Sequence, residues 1–316
     1  MPRAFRFFLL ALVTASVHAL AQEADVPWLS LRRLSVTATA AYHYNPWKKY
    51  NEAMSLAQDA IRYSSTYPNP HGGLEDIVGD GTFRIKAAYR VISGFSFNIG
   101  AGFVSTRGTI DVFWNPTVLI DPGGYPAPGP TRSTNQKMQL SVLEYTAGVQ
   151  YTHDLNDALS LSASALVSRN QGSFQFNHTY QYASSKHDFS ADLKETTVGA
   201  VAGIELAFHA LAPFSVITFA EYRWLKFRDL HGSGTYVYQE KQPSWSYEYS
   251  HPFDARLGEA DGYFGLLVTP SNQSPPDYLL HQLWENAAVQ PWWKTQQPAV
   301  LDLSGFGIGL GVRYEF

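Results

Sequence analysis

The chain has 316 residues, 45% of them hydrophobic and only 16% charged, with no cysteine and a formal net charge of −4. Aromatic residues reach 15%, with 8 Trp, 19 Tyr and 19 Phe. This composition excludes disorder, disulfide scaffolds and thiolate metal sites, and it argues against nucleic acid as a partner. Past the N-terminus no apolar run of about 18 residues occurs, which excludes a polytopic helical membrane protein. A β-rich globular protein or a membrane β-barrel remains, and the aromatic surplus favours the barrel.

Residues 1–21 read as a secretory signal: Arg3 and Arg6, the apolar stretch Phe7–Val13, then small residues. Cleavage after Ala19 or Ala21 fits, and Ala21 gives Ala-x-Ala followed by Gln22-Glu23. Losing the two arginines moves the net charge to about −6. A chain without cysteine suits an oxidising compartment.

Eight stretches then alternate with the period of a β-strand. The first carries Leu34, Val36, Ala38, Ala40, Tyr42 and Tyr44 on one face. The second carries Phe83, Ile85, Ala87, Tyr89 and Val91, interleaved with Arg84, Lys86 and Arg90; the third carries Phe95, Phe97, Ile99, Ala101 and Phe103. The fourth runs over Leu143–Thr152 with Glu144 on its polar face, the fifth over Leu159–Ser168, and the sixth over Thr197–Phe208 with Glu205. The seventh runs over Phe214–Trp224 with Glu221 and Arg223, and the eighth over Gly305–Phe316 with Arg313 and Glu315.

The connections decide what this alternation builds. Strands two and three, four and five, and six and seven are joined by short links around Ser93-Gly94, Asp154–Ala158 and His209–Pro213. The other links are long, about 36, 31, 23 and 74 residues, where a sandwich expects about 2–6. The pattern predicts an all-β, transmembrane, antiparallel up-and-down barrel of 8 strands, with short periplasmic turns and long extracellular loops. The expected layout is a cleaved signal at 1–21, a periplasmic N-terminal segment at 22–32, and a barrel over 33–316. Its loops fall at about 45–80, 108–138, 169–191 and 229–302, and both termini are periplasmic. Gly262–Thr269 has strand character as well, so ten strands are an alternative.

Aromatics gather at both ends of the strands, among them Tyr42, Tyr44, Tyr222 and Trp224 at the loop end and Phe95, Phe97 and Tyr151 at the turn end, as at two lipid–water interfaces. Gly311-Val312-Arg313-Tyr314-Glu315-Phe316 resembles the terminal insertion signal of bacterial outer-membrane barrels, in which a glycine precedes an aromatic and a final Phe. Gly309 departs from the wider pattern, which has a polar residue there. In strand number and layout the chain resembles the small eight-stranded family of the OmpA transmembrane domain and OmpX. The resemblance implies the cell outer membrane of a diderm bacterium, contact with its lipid and lipopolysaccharide, and recognition by the barrel assembly machinery through Gly311, Tyr314 and Phe316.

Eight strands enclose only enough room for side chains. Arg84, Lys86, Arg90, Arg223 and Arg313 face inward, with Glu144, Glu205, Glu221 and Glu315, so the lumen reads either as a salt-bridged core or as a narrow polar pore. The core reading is favoured on size. The fourth loop is aromatic-rich, with Trp245, Trp284, Trp292 and Trp293; Thr235–Gln239 and Trp245–Tyr249 in it can extend the barrel as a hairpin above the membrane, and the loop is the expected place for a surface ligand or a cap over the mouth. Catalysis has one weak candidate, His231 and Ser233, whose spacing puts both on one strand face; with 10 His and many Ser such a pair arises by chance. No cofactor or metal is implied. The leading expectation is a structural or surface-interaction protein, ahead of a small-solute pore and a lipid-modifying enzyme.

Overall fold

Each of the eight alternating stretches becomes a strand of one closed ring in a computed structural model of the chain. The structure describes residues 34–44, 70–74, 79–114, 118–120, 126–128, 132–182, 184–260, 263–269 and 297–316. In chain order the main strands are β1 (Leu34–Tyr44), β2 (Gly79–Ile92), β3 (Phe95–Trp114), β4 (Arg132–Asn156), β5 (Leu159–Tyr182) and β6 (Ser185–Leu211). They continue with β7 (Phe214–Trp224), β8 (His231–Gln242), β9 (Trp245–Ala260), β10 (Tyr263–Thr269) and β11 (Gly305–Glu315). The ring runs β7-β11-β1-β2-β3-β4-β5-β6 and closes where β6 pairs with β7. Every pairing in it is antiparallel.

The turns at one end are tight for local reasons. Gly94 takes a φ of 72°, and its carbonyl accepts from the Thr152 N–H at 2.6 Å, which ties the β2–β3 turn to β4. Between β4 and β5, the Asn156 side chain accepts from the Ala158 N–H at 2.9 Å.

Outside, the ring carries a continuous exposed apolar band. On β11 and the residue that follows it, Phe306, Ile308, Leu310, Val312 and Phe316 are all exposed. From Phe306 to Phe316 the strand advances about 33 Å, which a tilt of about 40° reduces to about 25 Å of height. That is the height of a lipid-facing band. Tyr42, Tyr44, Phe97 and Tyr222 lie in it and face outward, exposed, as half-exposed Phe95, Tyr151 and Trp224 complete its two edges.

β4, β5 and β6 have 25, 24 and 27 residues, more than twice the about 9–11 that span a bilayer. With the far part of β3 they rise beyond the band, and the hairpin β8–β9 joins them by pairing with β6 from His231↔Lys194 to Glu240↔Ser185. The result above the ring is a continuous sheet, β3-β4-β5-β6-β8-β9-β10, joined by the short strands Pro70–Leu74 on β3 and Gln297–Pro298 on β9. The stretches 108–138 and 169–191, expected to be loops, are therefore largely strand. Gly262–Thr269 does supply a strand, β10, but it pairs with β9 outside the ring and adds nothing to the eight.

The polarity of the strands inverts where they leave the band. On β5, Ser160, Ser162 and Ser168 point inward within the band, whereas Phe174 and Phe176 point inward above it and Gln171, Gln175 and Asn177 point out. Water replaces lipid outside and an apolar core replaces polar side chains inside. That core gathers Leu140, Val142, Phe174, Leu193, Phe253 and Leu257 from the sheet against Leu225, Phe227, Leu230, Leu301 and Leu303 from the segments flanking the hairpin.

Candidate functional site

The lumen of the ring is filled by ionic side chains at close range. Arg84 donates to Glu144 (Nη2 to Oε2, 2.8 Å) and to Glu221 (Nη1 to Oε2, 2.9 Å). Lys86 donates to Glu205 at 2.7 Å, and Arg313 pairs with the same carboxylate. Arg223 meets Asp80 at 2.5 Å. Four bases (Arg84, Lys86, Arg223, Arg313) and four acids (Asp80, Glu144, Glu205, Glu221) are thus buried together. Their charges cancel, which is the condition for burying so many. His43 joins them: it donates Nε2–H to Glu221 at 2.9 Å, and its Nδ1 lies 3.1 Å from the Thr82 hydroxyl. Gly307 on β11 makes room for this ring, since a Cβ there would lie 2.5 Å from His43 Cδ2.

Two residues expected in this network stand apart from it. Arg90 is exposed, and Glu315 is 40% exposed and 3.9 Å from Arg313. Both sit where their strands end, at the mouth beside the short turns, where water solvates them and screens the Arg313–Glu315 pair. The mouth is a cavity of about 490 Å³ lined by Arg90, Asp154, Asp157, His209, Arg313 and Glu315. There His209 bridges two strands, with Ser215 at 2.8 Å from Nδ1 and Ser160 at 2.9 Å from Nε2.

Sequence reasoning missed Asp80 and His43. Asp80 shares the parity of Arg84 and Lys86, but β2 begins at Gly79 rather than at Phe83. His43 is on the polar face of the first stretch, among Ser35, Thr37 and Thr39, and nothing in the sequence set it apart.

The segments flanking the hairpin close the lumen from the other end. Arg223 Nε donates to the Leu303 carbonyl at 3.1 Å, and the Leu303 N–H donates to the Leu225 carbonyl at 2.8 Å. Leu225, Phe227 and Leu303 are buried directly beyond, so the charged layer ends under an apolar one.

His231 and Ser233 are both exposed on the polar outer face of the sheet. His231 Nδ1 donates to the Asp229 carbonyl at 2.8 Å, and among the described residues no hydrogen bond joins it to Ser233. Ser233 instead lines a shallow polar groove with Gln175, Asn177, Ser190 and Asp192. Of the four loop tryptophans, Trp245 begins β9 at the hairpin tip; Trp284, Trp292 and Trp293 lie outside the described residues. At the chain end Tyr314 packs between Phe214 (5.0 Å between centroids) and Phe316 (4.8 Å), with Gly311 on the same strand beside Ala38.

No protein family and no curated protein matches the sequence. Among solved structures the chain is similar to Neisserial surface protein A, at 12% identity and a TM-score of 0.34 over 90% of this chain and 97% of that one. It is similar to the outer membrane protease OmpT from Escherichia coli at 9% identity and a TM-score of 0.29, over 90% and 95%. It is similar to the translocator domain of the autotransporter NalP from Neisseria meningitidis at 10% identity and a TM-score of 0.20, over 99% and 97%.

Proposed function

We propose that the chain is an integral outer-membrane β-barrel protein that presents a rigid sheet at the cell surface for interaction and does not conduct solutes. The observation that carries this reading is the order of layers along the axis: an open polar mouth, a neutralised charge network, then an apolar core belonging to the projecting sheet. A solute entering the mouth meets buried ion pairs and behind them tightly packed Phe and Leu, and both barriers are costly to open. In this reading the exposed apolar band faces lipid, and the short turns lie on the periplasmic side together with both chain ends, as in barrels of this kind. The polar outer face of the sheet, with Lys137, Gln175, Asn177 and Lys194, then stands among the sugars of lipopolysaccharide. The terminal Tyr314 and Phe316 serve the assembly machinery. A lipid-modifying activity has no support in the His231 and Ser233 geometry.

Single-channel recording on purified protein in planar bilayers tests this reading. The expected trace is flat. Steady unit conductance would replace the closed barrel with a pore.

A further inference from the structure

The inner face of the β8–β9 hairpin does not stop being ordered where the apolar core stops. Beyond Tyr236 and Phe253, which are buried, the same face continues with Tyr238, Glu240 and Gln242 on β8 opposite Tyr249, Tyr247 and Trp245 on β9. Tyr238 packs on the core below, with its ring 4.9 Å from that of His187 and 6.2 Å from that of Tyr247. Tyr247 and Trp245 are 52% and 50% exposed, although they belong to the face that is buried lower down. At about 3.3 Å per residue, β6 travels about 40 Å from Val198 in the apolar band to Ser185 beside Glu240, so these rings are far from any lipid interface.

Among the rings lies a preset polar pair. Glu240 accepts from the Tyr238 hydroxyl at 2.7 Å and from the Gln242 amide at 3.1 Å, and that amide also donates to Ser184 Oγ at 3.0 Å. These bonds hold the Glu240 carboxyl below the usual carboxylate range, so it is an anion at neutral pH. Rings of this kind are rigid, amphipathic anchors with little rotamer entropy to lose. A carboxylate and an amide side by side supply an acceptor and a donor whose orientation is already fixed.

Resting on the surface reading above, we propose that this hairpin face is a binding platform for an uncharged saccharide. A sugar ring offers what the face is built to take: a C–H face that lies on an aromatic ring, and an edge of hydroxyls that both donate and accept. A purely apolar ligand would strip water from the Glu240 carboxylate and offer nothing in its place, a desolvation cost that opposes its binding. An acidic sugar or a phosphate would meet the Glu240 anion. Charge and chemistry therefore select a neutral glycan.

Two measurements on the full chain test this. The protein in nanodiscs is titrated with maltoheptaose and a chitin-derived oligomer as neutral probes, and with an oligogalacturonate as the acidic probe, following tryptophan fluorescence. At least one neutral probe should bind with a Kd below about 10 mM. Trp245→Ala and Tyr247→Ala should each weaken binding about tenfold or more while keeping wild-type heat-modifiability, since both side chains project from the tip. No neutral binding, equal binding by the variants, or preference for the acidic probe would overturn the platform, as would tip-dependent capture of a deglycosylated protein in place of a glycan. In parallel, Ser244→Cys at the hairpin turn provides a unique thiol in a chain without cysteine. A membrane-impermeant maleimide should label it on intact cells. Labelling without glycan binding overturns the platform alone; glycan binding without labelling overturns the surface reading and leaves the platform standing.

Discussion

Arg223 and Asp80 meet at 2.5 Å with both side chains at 0% exposure. The guanidinium also reaches Thr82 Oγ1 at 3.3 Å and the Leu303 carbonyl at 3.1 Å, so one side chain joins the lumen network to the segment that leads into β11. Removing one partner leaves a buried charge uncompensated, at a cost of about 3–5 kcal/mol. Arg223→Ala and Asp80→Ala should each lower the temperature at which the folded band converts to the unfolded one on semi-native gels. The pair Arg223→Met with Asp80→Leu should recover most of the loss, because it deletes both charges and keeps the volume. Equal losses in the single and double variants would show that the pair contributes through shape alone.

Phe227 holds the projecting sheet together from within. It is fully buried, and a Cβ on Gly172 of β5 would lie 2.6 Å from its ring. Phe227→Ala should cost about 3–5 kcal/mol, borne by the sheet above the band. Limited trypsin digestion should then cut within 171–260 in the variant and spare it in the wild type, while the ring keeps its heat-modifiability. Wild-type resistance in the variant would mean that the core survives without its central ring.

The upper core also makes the sheet sensitive to acid. His178 is 3% exposed, and burial holds its pKa down at about 4, with His187 beside it. His187, whose Nδ1 lies 2.8 Å from the Tyr236 hydroxyl, is shifted down too by burial, partly offset by Asp188. In the unfolded sheet each histidine takes up its proton near pH 6.5. Below that pH the unfolded form gains protons that the folded form refuses, so stability is full above about 6.5 and is lost as pH falls toward 4. For His178 the loss amounts to about 3 kcal/mol. Protease susceptibility of the sheet should rise over this range, and His178→Gln should flatten the dependence. A susceptibility that stays constant from pH 7 to 4 would contradict it.

The last strand contributes its aromatics to the mouth-side edge of the band, where Tyr314 sits between Phe214 and Phe316. A Tyr314→Ala, Phe316→Ala double variant should reach the outer membrane in reduced amount, with more protease-sensitive material in the periplasm. Wild-type quantities of heat-modifiable barrel would assign these rings a packing role only.

The ring was legible because lipid imposes a strict rule on it. Phe306, Ile308, Leu310 and Val312 face hydrocarbon, so every second residue of β11 had to be apolar and the glycines between had to face in. The projecting sheet was legible only in part: the hairpin expected over Thr235–Gln239 and Trp245–Tyr249 forms within β8 and β9, but the extensions of β4, β5 and β6 escaped the rule. Above the band the outward residues Gln171, Gln175 and Asn177 meet water while Phe174 and Phe176 turn inward, so the expected phase reverses and the stretch reads as loop. The lumen network was half legible. Parity alone placed Arg84, Lys86, Glu144, Glu205, Glu221, Arg223 and Arg313 inside, but it also admitted Arg90 and Glu315, because it does not say where along the axis the water begins.

By itself, then, the sequence determined the number of spanning strands, their two faces and their connections, because a two-residue period and the lengths of links are local properties. Which charges meet was decided only in three dimensions. Arg84 and Glu221 are far apart in the chain and on strands that are not neighbours in the ring, and they touch because the ring closes and its diameter matches their length. The same closure brings Phe227 and Leu303 over the network and leaves Trp245 and Tyr247 standing clear at the tip. Depth along the barrel axis, set by which strands outrun the membrane, sorted the aromatic residues into a lipid band, a core and an exposed platform.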